Sequence, residues 1–112
     1  MMNTIATEDS VASLDPLEIA PQNYQLLMEN ARVRVIEITI RPGEKIAQHA
    51  NAPAVIYVIN DGRIKHVYPD GRIRETDAVA GTAIWDAAET HETENVGETV
   101  IHSIKVELLQ ES

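Results

Sequence analysis

Four histidines, His49, His66, His91 and His102, carry most of the proton-transfer or metal-binding chemistry that this sequence could offer. Cysteine is absent, which excludes disulfides, thiolate metal sites and thiol catalysis. An imidazole changes charge near neutral pH and presents a ring nitrogen to a proton, a metal or a ligand oxygen. Where each one points follows first from strand periodicity, because alternate side chains of a strand share a face. In the stretch THETEN, His91, Thr93 and Asn95 share one face and Glu92 and Glu94 the other. The acidic pair belongs in solvent, which puts His91 inside. In TVIHSIKVELL, His102 shares its face with Val100, Ile104 and Val106, opposite Ser103, Lys105 and Glu107. The apolar set is expected to face the core, so His102 is expected to point inward. His49 and Asn51 share a face where QHAN is extended, and His66 lies with Ile64 and Tyr68 in a hairpin, read as a structural residue satisfied by backbone groups. Three histidines from three segments, His49, His91 and His102, are therefore expected to converge. Buried imidazoles need partners, so convergence points to a ligand, a metal or a hydrogen-bond network.

The elements that must position these residues are strands. The chain has 112 residues, room for one domain. Ile and Val together number 23, against 6 Leu and no Phe, and β-branched side chains suit a pleated sheet. Residues 1–22, with two prolines and no sustained periodicity, are expected to form a loosely ordered arm with a short helical turn after Asp15. Residues 23–112 read as the folded domain. RVRVIEITI alternates with a phase slip at Val35–Ile36 that suggests a bulge, and AVIYVI is apolar on both faces. Turns at Pro42-Gly43, Asp61-Gly62 and Pro69-Asp70-Gly71 separate many short strands, which indicates a small all-β barrel or sandwich. Acidic residues outnumber basic ones 18 to 9, for a net charge of −9. That field repels nucleic acid and an anionic membrane face, so neither is expected as a partner. No apolar run has transmembrane length and the start has no signal-peptide pattern, so a cytoplasmic location is expected. The basic cluster Arg63, Lys65, Arg72 and Arg74 falls on one hairpin and is expected to pair with surplus carboxylates.

The stretch from Pro42 to Asn95 resembles the cupin superfamily, small jelly-roll barrels with a double-stranded β-helix. Gly43 and His49 match the opening of the first cupin motif, Gly62 or the turn at Asp61 its close, and Gly81, His91 and Asn95 the spacing of the second. The piece AGTAIWDAAETHETENVGET resembles that region of small one-domain bacterial cupins associated with beta-alanine degradation. The resemblance implies a single jelly-roll cupin barrel over roughly residues 24–109 and pairing into a homodimer, for which Val33, Val35 and AVIYVI supply apolar surface. It also implies that a metal, where bound, sits on two histidines and a glutamate of the first motif and one histidine of the second. Here only His49 and His91 match, the second histidine position is Asn51, and the glutamate position falls at Ala54 or Val55.

The expected cofactor is therefore none, or a weakly held divalent iron, manganese or zinc on His49, His91 and His102. The expected ligand is a small polar metabolite in a cavity walled by Ile56, Val58, Ile84 and Ile104, oriented by Asn51 and His102. If the protein is an enzyme, His49 and His91 exchange a proton in a lyase or isomerase reaction. A metal-dependent oxygenase or hydrolase on three histidines, and a non-catalytic binding or interaction module, are the alternatives.

Overall fold

A computed structural model describes residues 14–109. The described residues open on a single helical turn, α1 (Pro16–Ile19), capped by the Asp15 carboxylate, which accepts a hydrogen bond from Leu17 N at 3.0 Å. Proline at the first helical position fits there, since its missing N–H has no intrahelical partner to lose. Pro16 and Ala20 are buried and the Leu14 carbonyl accepts from Ala50 N, so residues 14–22 of the expected arm are docked on the barrel. Residues 1–13 of that arm lie outside the described residues.

Nine strands follow among the described residues: β1 (Tyr24–Glu29), β2 (Val33–Ile40), β3 (Lys45–Ala50), β4 (Ala54–Val58), β5 (Gly62–Val67), β6 (Ile73–Ala78), β7 (Ala83–Asp86), β8 (Thr90–Asn95) and β9 (Ile101–Leu108). They form a five-stranded sheet, β1-β2-β9-β4-β7, facing a four-stranded sheet, β3-β8-β5-β6. All the pairings are antiparallel. Gly43 and Gly81 take positive φ at 85° and 84° in turns, a conformation that costs other residues strain. The phase slip read at Val35–Ile36 is not a bulge: β2 is regular there, with Val35 outside and Ile36 inside, and the register shift lies in β1 between Leu26 and Met28.

The hydrophobic core is the cluster of Tyr24, Ile36, Ile38, Ile40, Ile46, Ala20 and Ile101, of which Tyr24, Ile38, Ile40 and Ile101 also line the space between the sheets. Each fully buried isoleucine there contributes roughly 1.5–3 kcal/mol of transfer free energy. Strands β6 and β7, each at one edge of its sheet among the described residues, are exposed along most of their length, and the space between the sheets opens toward them.

One strand reverses its expected orientation. In β9 it is Ile101, Ser103, Lys105 and Glu107 that face the interior, while His102, Ile104 and Val106 face outward. The registry confirms it: Lys105 sits opposite the buried Ile36, and Val106 opposite Val35 and the exposed Val55. Alternation tells which residues share a face but not which face is inside. Here the charges inside compensate one another, and the apolar set joins the outer surface of the five-stranded sheet.

Candidate functional site

Between the sheets lies a cavity of about 410 Å³, within the size range of small-molecule sites. Its apolar walls include Ile38, Ile56, Val58, Ile64 and Ile84, and its polar side is built from Asn51, His66, Arg74, Asp86, His91 and Lys105. Three of the four expected wall residues are present; Ile104 is not, because it faces outward.

The polar side is assembled by register. The β3–β8 pairing sets His49 directly opposite His91, and β5 brings His66 beside Thr93 on the other flank of β8. The His66 and His91 rings stack at 4.0 Å and 14°, and His49 meets His91 edge-on at 5.1 Å. Behind them, Asn51 reaches across to β9: Lys105 Nζ donates to Asn51 Oδ1 at 2.6 Å. Ammonium groups only donate, so Lys105 fixes the Asn51 amide, and Asn51 Nδ2 must donate to His91 Nε2 at 3.0 Å. His91 is thereby set as the Nδ1–H tautomer. That Nδ1 is buried with no hydrogen-bond partner, as is Nδ1 of His66. Glu89 Oε1 lies 3.6 Å from His91 Nδ1, beyond hydrogen-bond reach, and accepts instead from the Tyr68 hydroxyl at 3.2 Å.

Burial, and then the neighbouring histidines, push the His91 pKa down to about 3. Burial and the Arg74 charge push that of His66 down to about 4. His49 is also lowered, by burial, although its Nδ1–H donates to the Ala47 carbonyl at 2.8 Å. All three imidazoles are neutral at physiological pH. Asp86, on the cavity wall, is shifted upward by burial against the pull of Lys105.

Lys105 and Glu107, 1% exposed each, belong to a chain of alternating charge. Glu107 Oε2 lies 3.4 Å from Lys105 Nζ, its Oε1 accepts from Arg34 Nε at 2.7 Å, and Arg34 forks onto both oxygens of Asp15 at 3.0 and 3.1 Å.

His102 is the expectation that the geometry corrects. It lies on the outer face of β9, about a third exposed, with Nε2 2.7 Å from Glu37 Oε2, and cannot reach the cavity. Tyr57 and Trp85 are both exposed, at 49% and 59%, and of the two Trp85 lines the cavity. His66, read from sequence as satisfied by the backbone, instead stacks on His91 with an orphaned ring nitrogen. Lys105, Glu107, Asp86 and Arg74 were missed because charge was assigned to solvent. The basic hairpin behaves as expected in part: Arg63 pairs with Glu75 and Asp77, and Arg72 with Asp70.

The donor set does not fit a metal. Of the expected ligands His49, His91 and Asn51 remain with His102 outside, His91 Nε2 and Asn51 Oδ1 are already engaged, and His66, which joins them, lies parallel to the His91 ring. The Lys105 ammonium stands beside them, where a second cation would be repelled. Among the described residues no three His, Asp or Glu side chains are grouped to hold an ion.

Comparison with solved structures fits this architecture. The chain is similar to a cupin-domain protein from Bordetella pertussis Tohama I, at a TM-score of 0.71 and 19% identity over 78% of this chain and 92% of that one. It is similar to an RmlC-like cupin with a double-stranded β-helix from Methanocaldococcus jannaschii, at 0.60 and 14% identity over 76% and 77%. A double-stranded β-helix domain protein from Klebsiella pneumoniae matches at 0.59 and 18% identity over 79% and 84%. No family model and no curated protein matches the sequence. The fold is the all-β, double-stranded β-helix of cupin-domain proteins. A fold of this kind hosts many activities, so function has to be argued from the cavity itself. Among the described residues no helix is long and apolar enough to cross a membrane.

Proposed function

We propose that the protein binds a small metabolite with one polar end and an apolar body in the barrel cavity. The observation that carries this reading is the pair of orphaned nitrogens, Nδ1 of His66 and of His91, both buried on residues of the cavity wall. A buried polar atom without a partner costs about 1–3 kcal/mol, and a ligand oxygen accepting from His91 Nδ1–H would recover it. Asn51 holds the ring in that tautomer, and His49 supports it edge-on. The roles of His49 and His91 are thus orientation and hydrogen bonding. Proton exchange between them is disfavoured, because a general base works best with a pKa near the operating pH and His91 lies near 3.

Thermal-shift and calorimetric screening of neutral and anionic metabolites tests the reading. A ligand at 100 times its Kd should stabilise the wild type by about 2.7 kcal/mol. The same ligand should fail to stabilise His91→Phe, which keeps the bulk and loses both nitrogens. Equal stabilisation of the two proteins would place binding elsewhere.

We further propose that the outer face of the five-stranded sheet pairs with a second copy of the chain. Val35, Val55, Tyr57, Ile104 and Val106 lie side by side there by register, and apolar side chains in such an array gain by mutual burial. Light scattering that returns a monomer would refute it. A cytoplasmic location accords with an acidic chain without cysteine.

A further inference from the structure

The cavity holds a reactive group that hydrogen bonding alone does not require. Lys105 Nζ is enclosed at the polar side, held at 2.6 Å by Asn51 Oδ1 and at 3.4 Å by Glu107 Oε2. Glu107 compensates its charge, so an incoming carboxylate meets a cation that already has its counter-ion. A neutral carbonyl meets a different arrangement: a primary amine with a carboxylate beside it to take its proton and hydrogen-bond donors to hold the oxygen. We propose that the cavity takes an aldehyde or ketone carrying an apolar chain, and that Lys105 binds its carbonyl carbon covalently as an iminium ion. The proposal rests on the cavity being the ligand site and names the class of ligand it receives.

The step balances without any co-reactant. The Lys105 ammonium passes a proton to Glu107, and the free amine adds through its lone pair to the carbonyl carbon, forming a C–N bond. The carbonyl π electrons go to oxygen, and the proton that the new N+ sheds passes to it, leaving a carbinolamine hydroxyl and a neutral nitrogen with its lone pair restored. Protonation of that hydroxyl by Glu107 expels water as the nitrogen lone pair forms the C=N bond. Ammonium and carbonyl have become iminium and water, with charge conserved and nothing oxidised or reduced. Burial lowers the Lys105 pKa, which favours the free amine that the first step needs. Asp86, on the cavity wall and shifted upward by burial, is a second acid within electrostatic reach of Lys105. The walls of Ile56, Val58 and Ile84 offer the apolar surface that such a chain needs.

The test uses the full chain, hexanal as the carbonyl probe and 1-hexanol as a probe of similar shape that cannot form an iminium. Hexanal is added with sodium cyanoborohydride, which reduces an iminium to a stable amine, and the label is located by peptide mapping. The sequence contains three lysines, Lys45, Lys65 and Lys105, so the readout is simple. The expected result is most of the label on Lys105 in the wild type, protection of that residue by 1-hexanol, and loss of its label in Lys105→Arg. A melting shift with 1-hexanol reports non-covalent binding independently. Stabilisation by 1-hexanol with label confined to Lys45, Lys65 and the amino terminus would overturn the covalent inference and leave the cavity reading standing. Neither stabilisation nor label at Lys105 would overturn both. Where Lys105→Arg does not fold, protection by 1-hexanol in the wild type decides alone, and label on Lys105 that 1-hexanol does not slow counts against the proposal.

Discussion

Replacing Glu107 with glutamine tests which face of β9 lies inside. Glu107 is 1% exposed and sits between two cations, with Arg34 Nε at 2.7 Å and Lys105 Nζ at 3.4 Å. Glutamine keeps the shape and removes the charge, leaving a buried ammonium without its carboxylate. Breaking a buried pair in this way costs about 3–5 kcal/mol. Against a total of roughly 5–15 kcal/mol for a domain, that is a large share of the stability. For a domain of this length the melting temperature should fall by roughly 10–20 °C. Lys105→Met should cost less, about 1–3 kcal/mol, because Glu107 keeps Arg34 and the methionine buries well where the lysine stem lay. Urea unfolding followed by far-ultraviolet circular dichroism gives both numbers; Trp85 is too exposed to serve as the main probe. A Glu107→Gln protein within about 0.5 kcal/mol of wild type would behave as a surface variant and refute the buried placement of the whole strand face. A larger loss in Lys105→Met than in Glu107→Gln would refute the argument that Glu107 is the shared counter-ion.

The remaining predictions concern the other parts of the site and the outer face. Unfolded histidines take up protons near pH 6.5, whereas His66 and His91 in the folded protein do so only near 4 and 3. The unfolded state therefore binds more protons between about pH 6.5 and 3, and stability should fall as pH drops through that window, by at most about 1.4 kcal/mol per pH unit for each histidine. Urea midpoints from pH 7.5 to 5 should show a shallower slope in His66→Gln than in wild type, and equal slopes would contradict a buried neutral His66. Asn51→Leu strips Lys105 Nζ and His91 Nε2 of their partner and should cost about 1–3 kcal/mol in chemical denaturation, together with any ligand-induced thermal shift. By contrast, His102→Ala should leave ligand binding unchanged and cost less than about 1 kcal/mol, since its hydrogen bond with Glu37 is partly solvated. Val106→Lys should leave the monomer fold intact by circular dichroism while lowering the mass seen by light scattering, and an unchanged mass would remove the outer face from the proposed pairing.

How far the sequence could be read is clearest where two strands are compared. In β8 the alternation of His91, Thr93 and Asn95 against Glu92 and Glu94 placed the buried set correctly: the two glutamates share the outer face, where Lys45 and Lys65 stand opposite Glu94 on the neighbouring strands. In β9 the same reasoning failed. Lys105 and Glu107 carry opposite signs, and Arg34, brought alongside by the β2–β9 register, completes their compensation, so the polar face could go inside. Arg34 lies 73 positions from Glu107 along the chain, and nothing local announces the pairing. His66 escaped for a related reason. Its own hairpin shows only flanking basic residues, while the partner that gives it meaning, His91, arrives through the β5–β8 ladder. The apparent slip at Val35–Ile36 arose because Val35 of the outer face and Ile36 of the inner face are both apolar.

The inward charges also explain why the docked segment 14–22 bears on the cavity. Asp15 caps α1 through Leu17 N and, with the same carboxylate, grips both arms of the Arg34 fork. Arg34 holds Glu107, Glu107 faces Lys105, Lys105 fixes the Asn51 amide, and Asn51 sets the tautomer of His91. Each link constrains the next because an ammonium or guanidinium only donates and a carboxylate only accepts, which leaves one arrangement of hydrogens along the row. The hydrogen that His91 turns toward the cavity is thus determined by a carboxylate at the start of the described chain. Asp15→Asn, which keeps the helix cap but weakens the grip on Arg34, should reduce ligand-induced stabilisation while leaving α1 in place. If binding is unaffected by that change, the row is a set of independent pairs and the cavity owes nothing to the docked segment.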